Sequence, residues 1–280
     1  MIIANDFEAL SFFLTRQMLI HRKVAPMNRT AISFLAALAL ALTLISATAQ
    51  EKGKAWSEWS KKDAEKMLND SPWAQTQTDT DVSQMMYSPT NDPRLNNSRT
   101  TSNTDSRISE GATNQAVNQK FHVRFFSARP IRQALVRLME LQQKPSPETA
   151  AKFTNFAEMQ SPDSVIVTVV FESNDQRFLG GAMQAFNSAT TGTLKNAAYL
   201  ERNDGKRLFL EEYVPPGKDG FGARFIFLRE LDGKPFVTAD TKEIRFYAEF
   251  PKAKSADANG MKIDRRFKIA DMIYQGQIEY

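Results

Sequence analysis

The chain has 280 residues, a formal net charge of +4, no cysteine, two histidines, three tryptophans and twenty phenylalanines. Its apolar fraction of 42% is enough to build the core of one or two domains. The absence of cysteine excludes a disulfide scaffold, a thiolate zinc site, a cysteine nucleophile, an iron–sulfur cluster and a cysteine-linked lipoprotein anchor.

The first segment in chain order is an address label. Residues 31–47 read AISFLAALALALTLISA, preceded by Arg22, Lys23 and Arg29 and followed by Ala47-Thr48-Ala49. A basic start, an apolar run and a small-x-small site together make a secretory signal peptide. The competing reading, a membrane anchor, wants roughly 20 apolar residues, and this run is shorter and ends in a cleavage site. Restarting at Met27 gives a signal peptide of ordinary shape, so residues 1–26 read as an upstream extension from start-site choice. Residues 27–49 read as the signal peptide, cleaved after Ala49. Cleavage removes four Lys/Arg and two acids, which leaves 32 basic and 30 acidic residues and a net charge of +2. A surface so balanced gives no reason to expect a nucleic-acid partner, and no integral span remains. His122 becomes the single histidine of the exported chain.

Residues 50–75 hold WSEWSKKDAEKMLNDSPW, with Ser60 as N-cap, Asp63 at N3 and Pro72 after the end. This spacing predicts a short amphipathic helix whose face carries Ala64, Met67 and Leu68. Two or three turns are marginal alone in water, so the apolar face must dock. Trp56, Trp59, Met67, Leu68 and Trp73 are the candidate docking contacts, because an indole buries a large ring and keeps a polar handle. The helix either docks on a protein or envelope partner, or folds back on its own domain. Residues 76–119 are rich in Thr, Ser, Asn and Gln without Phe or Trp, a composition that reads as a disordered polar linker.

Residues 120–280 read as an α+β domain. A strand at 121–126 leads to helices opening at Pro130 and Ser146, then to VIVTVVF (165–171), apolar on both faces and therefore central. A third helix carries Phe178, Leu179, Ala182, Met183 and Phe186. After Gly192 the period switches to two: strands 194–202 and 207–213 flank the turn Asn203-Asp204-Gly205-Lys206. Alternating runs around Phe225, Phe246, Ile263–Ile269 and Met272–Tyr280 follow. The pattern predicts about seven or eight strands in a largely antiparallel curved sheet, a sandwich or half-barrel, with about three packed amphipathic helices.

The Trp-flanked segment, the stretch FFSARP (125–130) and the ending FKIADMIYQGQIEY resemble an uncharacterised family of exported bacterial proteins. Its members share a short Trp-flanked N-terminal helix, a polar tether and a C-terminal α+β domain. The resemblance implies export and an orphan domain; it carries over no catalytic residue.

Catalytic motifs are sparse. His122 sits in a strand-like FHVRFF context without a Gly-x-Ser-x-Gly elbow, and reads as an ordinary strand histidine. No HExxH, EF-hand loop or phosphate-binding glycine loop occurs; no catalytic, cofactor or metal residue is assigned. Asp79-Thr80-Asp81 reads as solvated linker, and Glu211-Glu212 point to opposite strand faces. Arg124, Arg129, Arg132, Arg137 and Arg265-Arg266 read as solvated faces rather than an anion groove. The expected function is a non-enzymatic binding or interaction protein of the periplasm or cell surface. The alternatives are an extracytoplasmic hydrolase and, from the alternating C-terminal run, an outer-membrane β-barrel.

Overall fold

A computed structural model describes residues 54–81, 117–161, 163–238, 240–250 and 261–280. The expected upstream extension, the signal peptide with its cleavage point, and residues 82–116 of the expected linker lie outside the described residues.

After a 3-10 turn at Trp56–Glu58, helix α1 (Lys61–Asn69) starts on a complete capping box between Ser60 and Asp63. The two side chains satisfy orphan donors reciprocally, and Ala64 and Leu68 are buried. Strand β1 (Ala74–Asp81) follows directly and pairs antiparallel with β2 (Val117–Phe125), from Ala74↔Arg124 to Asp81↔Val117. The expected linker boundaries at 76 and 119 are therefore corrected: its first six and last three residues belong to a sheet. Composition misled because the strand is an edge, where polar Gln and Thr satisfy the pairing as well as apolar residues do.

Helix α2 (Arg129–Gln142) opens with Pro130, whose missing N–H costs nothing in the first turn. Helix α3 (Pro147–Glu158) is capped by Ser146, and α2 packs between α1 and α3. Strand β3 (Ser164–Ser173) is the VIVTVVF run, and α4 (Gln176–Ser188) packs on it. A one-turn helix α5 (Thr191–Leu194) replaces the expected start of a strand, because Thr190 and Thr193 form a second capping box. Strands β4 (Ala198–Arg202) and β5 (Arg207–Phe209) then form the expected hairpin, with Gly205 at φ +80°.

The expected strand 207–213 is broken. Leu210 donates its N–H to Ala198 O, whereas Glu211 donates to Ile226 O, so the chain changes sheets between adjacent residues. Strand β6 (Glu212–Val214) thus pairs with β7 (Ala223–Leu228). A small hairpin of β8 (Glu230–Leu231) and β9 (Lys234–Pro235) leads to β10 (Glu243–Glu249) and β11 (Lys262–Lys268). The last nine residues form no long strand. Gln275 and Gly276, at φ 51° and 79°, make a tight turn between β12 (Ile273–Tyr274) and β13 (Gln277–Ile278), so the alternation that suggested a barrel-closing strand is a hairpin.

The result is an α+β fold with antiparallel sheets that do not close: a curved sheet in the order β1-β2-β3-β7-β6 and a second in the order β11-β10-β4-β5. Strand β3 is central, as its two-sided burial requires. Inward-facing rings join the sheets, with Phe125 to Phe267 at 4.8 Å and Phe225 to Phe246 at 5.2 Å, both edge-on. The β5–β6 corner joins the sheets covalently on one side. On the other, side-chain amides of β1 bridge to β11: Gln77 donates to Lys262 O (2.9 Å) and accepts from Asp264 N (2.8 Å). Gln75 donates to Arg266 O (2.7 Å). A primary amide carries the donor and acceptor of a peptide group, so these glutamines substitute for ladder bonds across an open seam. Among the described residues no helix is long and apolar enough to cross a membrane.

Candidate functional site

Cross-strand pairing on the outer face of the first sheet builds the site. Thr76 stands opposite His122, and His122 opposite Val170, with Glu172 one step diagonal on β3. His122 is only 7% exposed. Its Nδ1 lies 2.9 Å from Thr76 Oγ1, which is also 3.1 Å from Asn69 O. Thr76 has one hydroxyl proton. When Asn69 O takes that proton, Nδ1–H donates to Thr76, and Nε2 faces Glu172 Oε2 at 3.1 Å. That contact has ion-pair distance without hydrogen-bond alignment, so buried Nε2 has no hydrogen-bond partner among the described residues. A proton on Nε2 turns the contact from repulsive to attractive.

These groups line a cleft of about 910 Å³. The last turn of α1 with Asp70, Ser71 and Pro72 forms one wall; Lys120, Arg265 and Asp271 complete it. Arg124 lies under the α1 wall. Its Nε donates to Leu68 O (2.7 Å) and its Nη2 to Asn69 Oδ1 (2.9 Å), satisfying helix C-terminal acceptors. Burial pushes the Arg124 guanidinium down to about 10, with Glu172 opposing the shift. Arg265 comes from an inward-pointing position of β11, between buried Ile263 and Phe267. At the seam its Nε meets Gln75 Oε1 (3.2 Å).

The structure places the five tryptophan-helix residues against their own domain. Trp73 is 5% exposed, donates Nε1–H to Glu279 O (2.8 Å) and meets Tyr274 edge-on at 6.0 Å. Trp56 donates to Glu158 Oε1 (3.0 Å), which also accepts from Gln133. Leu68 is in the core; Trp59 and Met67 are half-buried against it. Arg266 lies on the solvated face expected for it, paired with Glu243 (2.8 Å), but other arginines expected there are a correction with the same meaning. Arg137 Nε donates to Trp59 O (2.7 Å), and Arg129 pairs with Glu279. Arg132, 2% exposed, donates to the carbonyls of Phe126, Ser127, Phe156 and Met159. Burial pushes its guanidinium down to about 10. They anchor α1, the end of α3 and the C-terminal hairpin, where orphan carbonyls need donors.

The cleft was missed in the sequence because its parts are far apart in the chain. Asp70, Thr76, His122, Glu172 and Arg265 share no motif; a polar residue opposite His122 became visible only with the β1–β2 register. Asp79–Asp81 lies in β1, and Glu211 and Glu212 fall at the sheet-changing corner. No group of three or more His, Asp or Glu is placed to hold a metal ion among the described residues. No family model, curated protein or solved structure matches this chain.

Proposed function

We propose that this is an exported, non-enzymatic binding protein of the periplasm or cell surface, and that its ligand site is the cleft around His122. The observation that carries the reading is a buried imidazole nitrogen without a hydrogen-bond partner in a polar cleft of about 910 Å³. Buried polar atoms are satisfied in the great majority of cases, so an exception in the wall of a polar cleft supports a functional role for the site. Export is supported by the apolar run and the Ala47-Thr48-Ala49 site. The Trp-flanked helix no longer supports an outside partner, because its apolar face is already covered by its own domain.

Cleavage makes His122 the only histidine, so nitrogen-detected NMR of the exported protein shows one imidazole. Phosphate, acetate, glycine, glucose and a dipeptide are added in turn at ~1 mM, where a site of only about −4 kcal/mol is half filled. A shift of the ring nitrogens by at least one probe supports the reading; silence with all of them refutes it. N-terminal sequencing of the exported protein should begin at Gln50.

One observation favours a second reading, an extracytoplasmic hydrolase: Thr76, His122 and Glu172 place a hydroxyl, an imidazole and a carboxylate in series. Turnover of an activated ester that is lost in both Thr76→Val and His122→Gln would establish it. Equal background rates in all three proteins would remove it.

A further inference from the structure

Net charge does not choose a ligand for the His122 cleft. Lys120 and Arg265 line it together with Asp70, Glu172 and Asp271, so both signs face the hollow. Hydrogen-bond capacity discriminates more sharply. Thr76 gives its single hydroxyl proton to Asn69 O at 3.1 Å. Only lone pairs are then left for His122 Nδ1, 2.9 Å away, so the proton of the neutral ring belongs on Nδ1. Nε2 keeps a lone pair, and it faces a second acceptor, Glu172 Oε2, at 3.1 Å. No described residue donates a hydrogen bond to that nitrogen. Lys120 stands opposite Glu172 in the β2–β3 register, yet the ion pair that Glu172 makes is with His122.

Two acceptors that face each other need a donor between them. A hydroxyl supplies one proton and serves one of them; a carboxylate or phosphate oxygen brings a third acceptor. A nitrogen carrying two or more hydrogens serves both. At donor distances of ~2.9 Å and tetrahedral angles, the two acceptors should stand ~4.7 Å apart. Glu172 must then swing outward by roughly 1.6 Å from its 3.1 Å contact. The two side chains suit that movement: Glu172 is 62% exposed, whereas His122 is 9% exposed and tied to Thr76. The same swing uncovers the buried Nε2.

Resting on the reading of the His122 cleft as the ligand site, we propose that the cleft holds its ligand by a primary ammonium group, which bridges His122 Nε2 and Glu172. The imidazole accepts one hydrogen and the carboxylate another, and the charge on both donor and carboxylate strengthens the second bond.

The ring nitrogens of His122 are recorded by NMR on the exported full chain at about pH 8, where the spectrum itself reads the charge and tautomer of the ring. Methylammonium, tetramethylammonium and acetate are titrated from about 1 to about 50 mM at constant ionic strength. In the parent the proton should sit on Nδ1, and methylammonium should shift Nε2 more than Nδ1. Tetramethylammonium, with the same charge and no N–H, should leave the ring unchanged, as should acetate. Glu172→Gln brings its own amide hydrogens to Nε2 and should weaken methylammonium about tenfold or more. Thr76→Val removes the acceptor at Nδ1, so the ring proton should move to Nε2 and the methylammonium response should vanish. Far-UV circular dichroism verifies that both variants fold. A parent ring protonated on Nε2, equal responses to the two ammonium ions, or a methylammonium response untouched by Glu172→Gln overturns the proposal. So does a ring that responds to phosphate or glucose but not to methylammonium, an outcome under which the cleft itself stands. A ring that responds to nothing overturns both readings.

Discussion

Replacing Trp73 by alanine tests whether the N-terminal helix is part of the domain. The indole is 5% exposed, its N–H donates to Glu279 O at 2.8 Å, and its face meets Tyr274 edge-on. An aromatic side chain of this kind buries ~150–250 Å². At about 25 cal/mol per Å² that is worth ~4–6 kcal/mol, an upper bound because the unfolded chain is not fully extended. The lost hydrogen bond adds about 1 kcal/mol, and measured Trp→Ala changes in cores cost ~3–5 kcal/mol. We therefore expect Trp73→Ala to lose about 4 kcal/mol. Trp73→Phe, which retains a ring and loses the hydrogen bond, should lose ~1–2 kcal/mol. Urea titration followed by far-UV circular dichroism reads both without depending on indole emission. In a chain of this size each kcal/mol corresponds to ~2–4 °C, so Trp73→Ala should lower Tm by ~8–16 °C. A loss below ~1 kcal/mol, with Phe156→Ala still costing the ~3–5 kcal/mol of a core aromatic, would refute the packing of α1 and β1 on the domain.

Gln77→Leu removes its own two bonds across the seam and should cost ~1–3 kcal/mol, with the Asp264 amide exchanging its hydrogen faster than in the parent. Gly222→Ala should cost at least ~2 kcal/mol by thermal unfolding: φ is +80°, and an added Cβ would stand 2.3 Å from Val169 O. Hydrogen bonds from Arg245 hold the Asp264 carboxyl below its ordinary value. A depressed folded-state pKa contributes stability above the unfolded value of about 4, lost as pH falls through the folded value. The stability gap between the parent and Asp264→Asn should thus be constant above pH ~5 and close as pH falls through the lowered folded-state value; a gap that widens in acid would reverse the assignment. Partial exposure of this ion pair limits the gap to a small effect.

Local patterns were legible wherever the element depends on its own residues. Ser60 with Asp63 marked the start of α1, Pro130 and Ser146 marked the next two helices, and the β-branched run at 165–171 marked the central strand. In the same way Asn203-Asp204-Gly205 marked the β4–β5 turn. Capping and turn chemistry act within four residues, so the chain order already contains their cause. Failures occurred where a distant neighbour decides. Thr76–Asp81 is polar enough for a linker and becomes a strand because β2 supplies its pairing partner. Arginines that look like a solvated face are drawn inward by carbonyls at helix ends as far as 78 positions away, as with Arg137 and Trp59.

From the sequence by itself followed the cysteine-free chemistry, the α+β class and the helix that begins at Ser60. Only the tertiary structure decided that this helix belongs to the domain, because a marginal amphipathic helix takes its stability from whichever apolar surface it meets, here that of α2 with β1 and β2. Only the tertiary structure brought His122, Glu172, Asp70 and Arg265 to one cleft. Sheet register and seam closure set those neighbours, and both depend on pairings between strands that the chain order does not encode locally.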